Sequence, residues 1–471
     1  MIIEQIYTGC LAQGAYYIQS ENEAAIIDPL REVGPYIDRA ERGNAKIRYV
    51  FETHFHADFV SGHLDLAAKS GAEVVFGPTA KPNFKAHIGV DGEEFKIGKI
   101  RLKLLHTPGH TMESACYLLI DETGVERILF SGDTLFIGDV GRPDLAQKAA
   151  NMTREELAGL LYESLKNKIM PLNDDIIVYP AHGAGSACGK NLSKETFDTL
   201  GHQKKTNYAL NLKLSKEDFI EQVTTGLMPP PGYFPLNVGL NKGGYESFDI
   251  VLARGLTKLS PENFEMITEL EDTLILDTRH QKEFIKEHIP GSIFIGIDGD
   301  FAPWVGALIP RIDQKIAIVA EQGREEEVIT RLARVGYDQC IGYLDGGIVA
   351  WKKSGRTVQS MESITVDMFA KLNANASINI LDVRKKSEFD SQHILGAVNL
   401  PLDYINESMA TIEKHKTFYV HCAGGYRSVI FISILNSRGF TNLINVEGGM
   451  NAIKQNNRFV MTEYVCPTTM L

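Results

Sequence analysis

Short runs of β-branched, aromatic and aliphatic residues alternate with polar stretches through the first 190 residues. Four of these runs stop directly before groups with reactive side chains. Ile47–Phe51 leads into Thr53-His54-Phe55-His56-Ala57-Asp58, and Ile100–Leu105 into Thr107-Pro108-Gly109-His110-Thr111. Arg127–Phe130 leads into Ser131-Gly132-Asp133-Thr134, and Ile176–Pro180 into Ala181-His182-Gly183. Runs of this length and composition predict strands. When strands lie side by side, residues just past their ends collect along one edge of the sheet, where α/β proteins commonly build sites. From about 190 to 225 the pattern is helical, and Met228-Pro229-Pro230-Pro231-Gly232-Tyr233-Phe234-Pro235 then interrupts regular structure. The region to about 250 reads as a helical extension closing a first domain.

Beyond 260 the chain repeats itself with a period near 100 residues. Leu276-Asp277-Thr278-Arg279, followed by Glu283-Phe284, His288-Ile289 and Gly291, returns as Leu381-Asp382-Val383-Arg384, Glu388-Phe389, His393-Ile394 and Gly396. Gly346-Gly347 and Ala350 return as Gly448-Gly449 and Ala452. Two copies of one α/β domain are implied, with the polar stretch Lys352–Glu362 as the linker between them. In the second copy the predicted strand Phe418–His421 is followed by Cys422-Ala423-Gly424-Gly425-Tyr426-Arg427-Ser428, which opens a helical segment. A cysteine in a Gly-containing loop before a helix meets converging backbone N–H groups and the positive end of the helix dipole. Both lower a thiol pKa and form an anion cradle.

The chain of 471 residues is long enough for about three domains. With 44% apolar and 23% charged residues it cannot be largely disordered. The 48 Lys and Arg against 60 Asp and Glu leave a net charge of −12, which opposes attraction to nucleic acid or to an anionic membrane, so neither is an expected partner. No window approaches about 18 consecutive apolar residues. Met1–Gln5 has neither the basic start nor the apolar run of a secretion signal, and a cytoplasmic protein is expected. The six cysteines, Cys10, Cys116, Cys188, Cys340, Cys422 and Cys466, are scattered without a C-x-x-C pair, which predicts thiols rather than disulfides.

His54, His56, Asp58, His110, Asp133 and His182 together supply more metal-ligand groups than packing requires. A lone histidine would be read as a core or surface residue, but H-x-H-x-D, P-G-H-T, G-D-T and P-A-H-G here occur in order, each after a strand. On these motifs residues 1 to about 250 resemble the metallo-β-lactamase fold, especially its glyoxalase-II-like branch. That family carries H-x-H-x-D-H, whose last Asp and His help hold a second metal. Here Phe59 follows Asp58, and a phenyl ring has no lone pair to give.

The single-iron branch of the fold is the persulfide dioxygenases. Resemblance to it implies His54, His110 and Asp133 as ligands of one Fe(II) per chain, with open positions for substrate and oxygen. It implies His56, Asp58 and His182 as groups that orient the ligands or contact substrate. Arg142, in Gly141-Arg142-Pro143-Asp144, is by the same resemblance a substrate-binding guanidinium; pairing with Asp144 is the equal alternative. Cys188 faces the same pocket or is a small buried residue.

The Cys422 segment resembles the rhodanese loop C-x-x-x-x-R-[ST], and the resemblance extends over 362–457. It implies that Cys422 carries sulfane sulfur as a persulfide and that Arg427 supplies a cation for an oxyanion. Ala423, Gly424, Gly425, Tyr426 and Ser428 would form the cradle. The copy at 260–356 keeps the scaffold but has Val319-Ala320-Glu321-Gln322-Gly323-Arg324-Glu325, with Glu321 expected opposite Cys422. A carboxylate cannot hold sulfane sulfur, so this copy is expected to be a catalytically silent spacer or docking domain.

The expected architecture is therefore multidomain α/β and α+β: a metallo-β-lactamase αββα sandwich over 1–250, then rhodanese-like α/β domains over 260–356 and 362–457. This order resembles the bacterial persulfide dioxygenase-sulfurtransferases. It implies iron-dependent oxidation of a low-molecular-weight thiol persulfide by O2 to sulfite and thiol, with sulfur transfer linking sulfite and thiosulfate, in sulfide detoxification. A zinc thioester hydrolase with an appended sulfur carrier, and a non-catalytic sulfide-responsive protein, are the competing readings. The thiol carrier, the direction of sulfur flow and assembly into a homo-oligomer stay open at this level.

Overall fold

The computed structural model describes residues 1–190, 192–211, 213–270, 272–375 and 378–466. The chain divides into two compact units, Met1–Phe248 with Ala333–Gly336, and Asp249–Leu332 with the chain from Tyr337 onward.

The first unit holds two six-stranded sheets. One runs in chain order through β1 (Ile2–Thr8), β2 (Gln13–Ser20), β3 (Glu23–Ile27), β4 (Lys46–Phe51), β5 (Glu73–Phe76) and β6 (His87–Ile88). It is antiparallel from β1 to β3 and parallel from β3 to β6. The other comprises β7 (Glu94–Ile97), β8 (Ile100–His106), β9 (Ala115–Ile120), β10 (Glu126–Gly132), β11 (Ile177–Pro180) and β12 (Asp198–Thr199), also in sequential order. The inner faces meet through Tyr16, Ile27, Phe51, Leu102, Tyr117 and Phe130. Outer faces are covered as well: Tyr17, Ile26 and Val50 pack under Tyr36, Ala40 and Leu66 of the helices Gly34–Arg42 and His63–Ser70. Leu118 and Leu129 pack under Leu161 and Phe219 of the helices Arg154–Ser164 and Lys216–Thr224. Burial on both faces explains why β2 and β9 are buried at every position and why β9 and the central Gly14–Ile18 of β2 read as continuous apolar or small-residue runs. The segment expected to be helical throughout from 190 to 225 also contains β12, which pairs antiparallel with β11.

The second unit contains two parallel five-stranded sheets. β13 (Lys258–Leu259), β14 (Thr273–Asp277), β15 (Ile293–Phe294), β16 (Lys315–Val319) and β17 (Cys340–Leu344) lie in the order β13-β17-β16-β14-β15. β18 (Ser363–Ile364), β19 (Asn379–Asp382), β20 (Val398–Asn399), β21 (Phe418–His421) and β22 (Leu443–Val446) repeat it as β18-β22-β21-β19-β20. The repeated Asp-x-Arg is a folding device: Arg279 binds Asp277 at 2.6 Å and the Glu287 carbonyl at 2.8 Å, and Arg384 binds Asp382 and the Gln392 carbonyl at the same two distances.

The stretch Lys352–Glu362 between the two copies is packed on the first: Trp351 Nε1 donates to the Thr357 carbonyl, Gln359 exchanges backbone hydrogen bonds with His288, and Met361 is buried. One expectation needs correction here. The residue in register with Cys422 is Ala320, not Glu321. Asp277 pairs with Val319 as Asp382 pairs with His421, and the silent loop runs one residue longer before its helix Glu325–Ala333 begins. Among the described residues no helix is long and apolar enough to cross a membrane.

Candidate functional site

His54 follows β4, His110 follows β8 and Asp133 follows β10, and all three are buried with their ligand atoms within 4.8 Å of one another. His110 Nε2 lies 3.4 Å and His54 Nε2 3.7 Å from Asp133 Oδ2. Each ring is oriented from behind. Thr53 Oγ1 donates to Asp28 Oδ2 at 2.8 Å and is therefore an acceptor for His54 Nδ1 at 3.0 Å. His110 Nδ1 sits 2.9 Å from the Arg142 carbonyl. With the proton on Nδ1 in both rings, each Nε2 turns a lone pair toward Asp133. Burial, then His56, keeps the His54 pKa well below its ordinary value, so the ring is neutral as a ligand must be.

Burial disfavours the Asp133 carboxylate, but His182, whose own pKa is raised, outweighs it and holds the group ionised. Its Oδ1 is met by His182 Nδ1 at 2.8 Å, while the buried Oδ2 has no hydrogen-bond partner among the described residues. An orphaned carboxylate oxygen facing two imidazole lone pairs is costly unless a cation completes it, so the donor set fits one divalent metal ion. Gly141 permits this closeness, since a Cβ there would stand 2.0 Å from the Asp133 carbonyl oxygen and 2.9 Å from His110 Nδ1.

The other expected residues take distinct positions. His182 joins Asp133 to Asp58, with Nε2 2.8 Å from Asp58 Oδ2, and these carboxylates raise its pKa well above normal despite burial. Cys188 does face this pocket: its Sγ groups with Asp58 and His182. Burial, then Asp58 and Asp133, push its thiol pKa well up, so it stays protonated. His56 instead directs Nε2 toward Asp28 Oδ1 at 3.0 Å and Glu52 Oε2 at 3.5 Å, and the fully buried Phe59 ring lies against it at 4.3 Å. Arg142 is engaged by the protein itself through four of its five donors. It binds Asp144 through Nε at 2.6 Å and Nη2 at 2.7 Å, and it donates to the carbonyls of Met228 and Ala187 at 2.6 and 3.3 Å. Asp28, Glu52 and Thr53 escaped the sequence reading. The available signal was that Asp28 closes the run Ala24–Ile27 as the other site residues close theirs.

In the second unit, Cys422 follows β21 and is almost fully buried. The Gly425 N–H donates to its Sγ at 3.1 Å, and Ser428 Oγ stands 3.6 Å away. Gly425, with φ 101°, caps the helix Tyr426–Ser437, a conformation that glycine adopts without a Cβ penalty. The Ala423 carbonyl is tied to Asn451 N at 2.9 Å, and a Cβ at Gly424 would lie in ordinary contact with Asn451 Nδ2 at 3.7 Å. Arg427 is not a free cation: its two terminal nitrogens hold the Glu388 carboxylate at 2.6 and 2.9 Å. In the first copy the corresponding N–H, that of Gly323, is filled by the Glu325 carboxylate at 2.8 Å, and Ala320 offers no nucleophile.

Residues 8–182 match the Metallo-beta-lactamase superfamily, and residues 260–354 and 365–456 each match the Rhodanese-like domain. The Hydroxyacylglutathione hydrolase GloC of Haemophilus influenzae is 28% identical over 215 residues, which cover 41% of this chain and 90% of the relative. The mitochondrial Persulfide dioxygenase ETHE1 of Homo sapiens is 28% identical over 225 residues, covering 47% and 80%. A crystal structure of a metallo-beta-lactamase from Staphylococcus aureus subsp. aureus COL is 32% identical with a TM-score of 0.64, covering 73% of this chain and 98% of that one. The chain thus belongs to the metallo-β-lactamase superfamily, as a fusion in which two rhodanese-like domains follow the metallo-β-lactamase domain.

Proposed function

We propose that the chain is a persulfide dioxygenase joined to a sulfurtransferase, with His54, His110 and Asp133 holding one ferrous ion. The observation that carries the reading is the orphaned Asp133 Oδ2 between two imidazole Nε2 atoms, with Phe59 filling the position where a second metal would need a nitrogen ligand. When bound there, a ferrous ion would supply redox-capable activation of oxygen and of a sulfur substrate. The chain's own groups prepare that chemistry. Thr53 and the Arg142 carbonyl fix the ligand rings, His182 steadies Asp133, and burial of all three ligands limits the access of water. Overall, RSSH, O2 and water give RSH, sulfite and two protons.

Cys422 then serves group transfer. Its thiolate attacks the sulfane sulfur of a donor, the donor's S–S bond breaks with the electron pair leaving on the donor, and the Gly425 N–H faces the sulfur that reacts. Attack by sulfite on the resulting Cys422 persulfide restores the thiolate and yields thiosulfate. The test is metal analysis of protein purified without air, with oxygen uptake and sulfite formation measured on small-molecule persulfides. One iron per chain and persulfide-dependent uptake are expected. Two zinc ions with oxygen-independent thioester hydrolysis would overturn the reading in favour of the hydrolase relatives.

A further inference from the structure

Tyr426 belongs to the Cys422 loop, yet its side chain is held by the first rhodanese copy. The phenol donates to the Gly296 carbonyl at 2.7 Å, and its ring meets Phe294 edge-on at 5.7 Å. Gly299 makes room for it: a Cβ there would fall 2.4 Å from Tyr426 Cζ. Two helical turns further along the same face, the Phe294 N–H donates to Ser433 Oγ at 2.9 Å, so the helix Tyr426–Ser437 is fixed to the first copy at two points. The receiving segment is itself braced, because Arg331 donates to the Ile297 carbonyl at 2.7 Å and Arg324 pairs with Asp298 at 2.8 Å. Arg324 belongs to the silent loop and therefore supports the neighbouring copy's anchor while carrying no sulfur.

We infer that the silent rhodanese copy is the positioning element of the active one, and that Tyr426, anchored on Gly296, sets the geometry of the Gly425 N–H against Cys422. Tyr426 immediately follows Gly425, so any displacement of its ring passes through one peptide unit to the donor that faces the thiolate. Tyr426 touches no reacting atom and is a positioning residue. The inference deepens the sulfur-transfer reading and rests on it.

The test uses the full chain with two variants, Tyr426→Phe, which removes one hydroxyl, and Gly299→Ala, which displaces the ring. Alkylation of the Cys422 peptide by iodoacetamide is followed against pH by mass spectrometry, beside thiosulfate-to-cyanide transfer. Both variants should shift the alkylation profile to higher pH and lower kcat about threefold to tenfold, the value of one net hydrogen bond, with KM for thiosulfate unchanged. Wild-type profiles in both variants would overturn the inference. So would a Tyr426→Phe defect matched by lost thermal stability while Gly299→Ala keeps the wild-type profile. If the unsubstituted chain transfers no sulfur, the transfer reading fails instead; the alkylation profile needs no turnover and still decides the positioning role.

Discussion

His63 opens the helix His63–Ser70 with its imidazole wholly buried. The ring lies 5.1 Å from Phe84, 5.5 Å from Tyr245 and 5.8 Å from Phe76; neither nitrogen has a hydrogen-bond partner among the described residues, and Nδ1 is 3.7 Å from Glu52 Oε1. Burial first, then His56 and Arg31, push its pKa from 6.5 down to about 3. The folded chain keeps this ring neutral where the unfolded chain takes up a proton. The stability contribution is therefore present above about pH 6.5 and is lost as pH falls toward 3. One such site gives up to ~1.4 kcal/mol per pH unit, or about 2 kcal/mol between about pH 7.5 and about pH 5.

His63→Phe keeps an aromatic ring among aromatic neighbours and removes the titration. Its stability should then fall by about 2 kcal/mol less than that of the unsubstituted chain over this interval. Glu52 titrates in the opposite sense, its carboxyl raised by burial and Asp28, but it is present in both chains. Both tryptophans, Trp304 and Trp351, belong to the second unit, so fluorescence would not report this change. Hydrogen exchange of peptides covering Ala115–Ile120, in the core of the first unit, would. Parallel pH dependence in the two chains would refute the assignment. Loss of bound metal on His63→Phe would show that this residue, and not only the three proposed ligands, serves the metal centre.

Replacing His110 or Asp133 with Ala should lower metal affinity by more than about 100-fold, and persulfide-dependent oxygen uptake with it, as read by elemental analysis and an oxygen electrode. Retained metal and uptake would exclude both as ligands. Cys422→Ser should abolish thiosulfate-to-cyanide transfer while sulfite formation from persulfide continues; intact transfer would remove Cys422 from the chemistry. Arg427 holds the Glu388 carboxyl below its ordinary range although burial opposes this, so their pairing stabilises the fold above about pH 4.3 and is lost as pH falls below it. Glu388→Gln should free Arg427 and lower KM for thiosulfate, and its stability deficit, under about 1 kcal/mol for a partly exposed pair, should close toward about pH 3 in thermal melts. A deficit that persists there would refute the ionic account.

Contiguous residues were enough to state the kind of chemistry available and the order in which the strands deliver it. H-x-H-x-D, P-G-H-T and G-D-T each stand where an apolar run stops, and the doubled Asp-x-Arg declares the repeated domain, because both signals are written in contiguous residues. Distant partners were not legible. The pairing of Arg142 with Asp144 was one of two readings the sequence left open, but its bond to the carbonyl of Met228, 86 residues away, was not visible; nor was it visible that Arg427 is spent on Glu388, 39 residues back, or that His56 faces Asp28 and Glu52. Spacing alone gave two answers for the residue opposite Cys422: Ala320 stands as far before Gly346-Gly347 as Cys422 before Gly448-Gly449, whereas the distance from the upstream Asp-x-Arg differs between the copies, and strand pairing decides for Ala320. A side chain's donors, charge and size are local properties of the chain. Which of them is consumed by a neighbour and which is left free to act is decided by packing, which brings together residues far apart in sequence and charges each buried polar group for a missing partner.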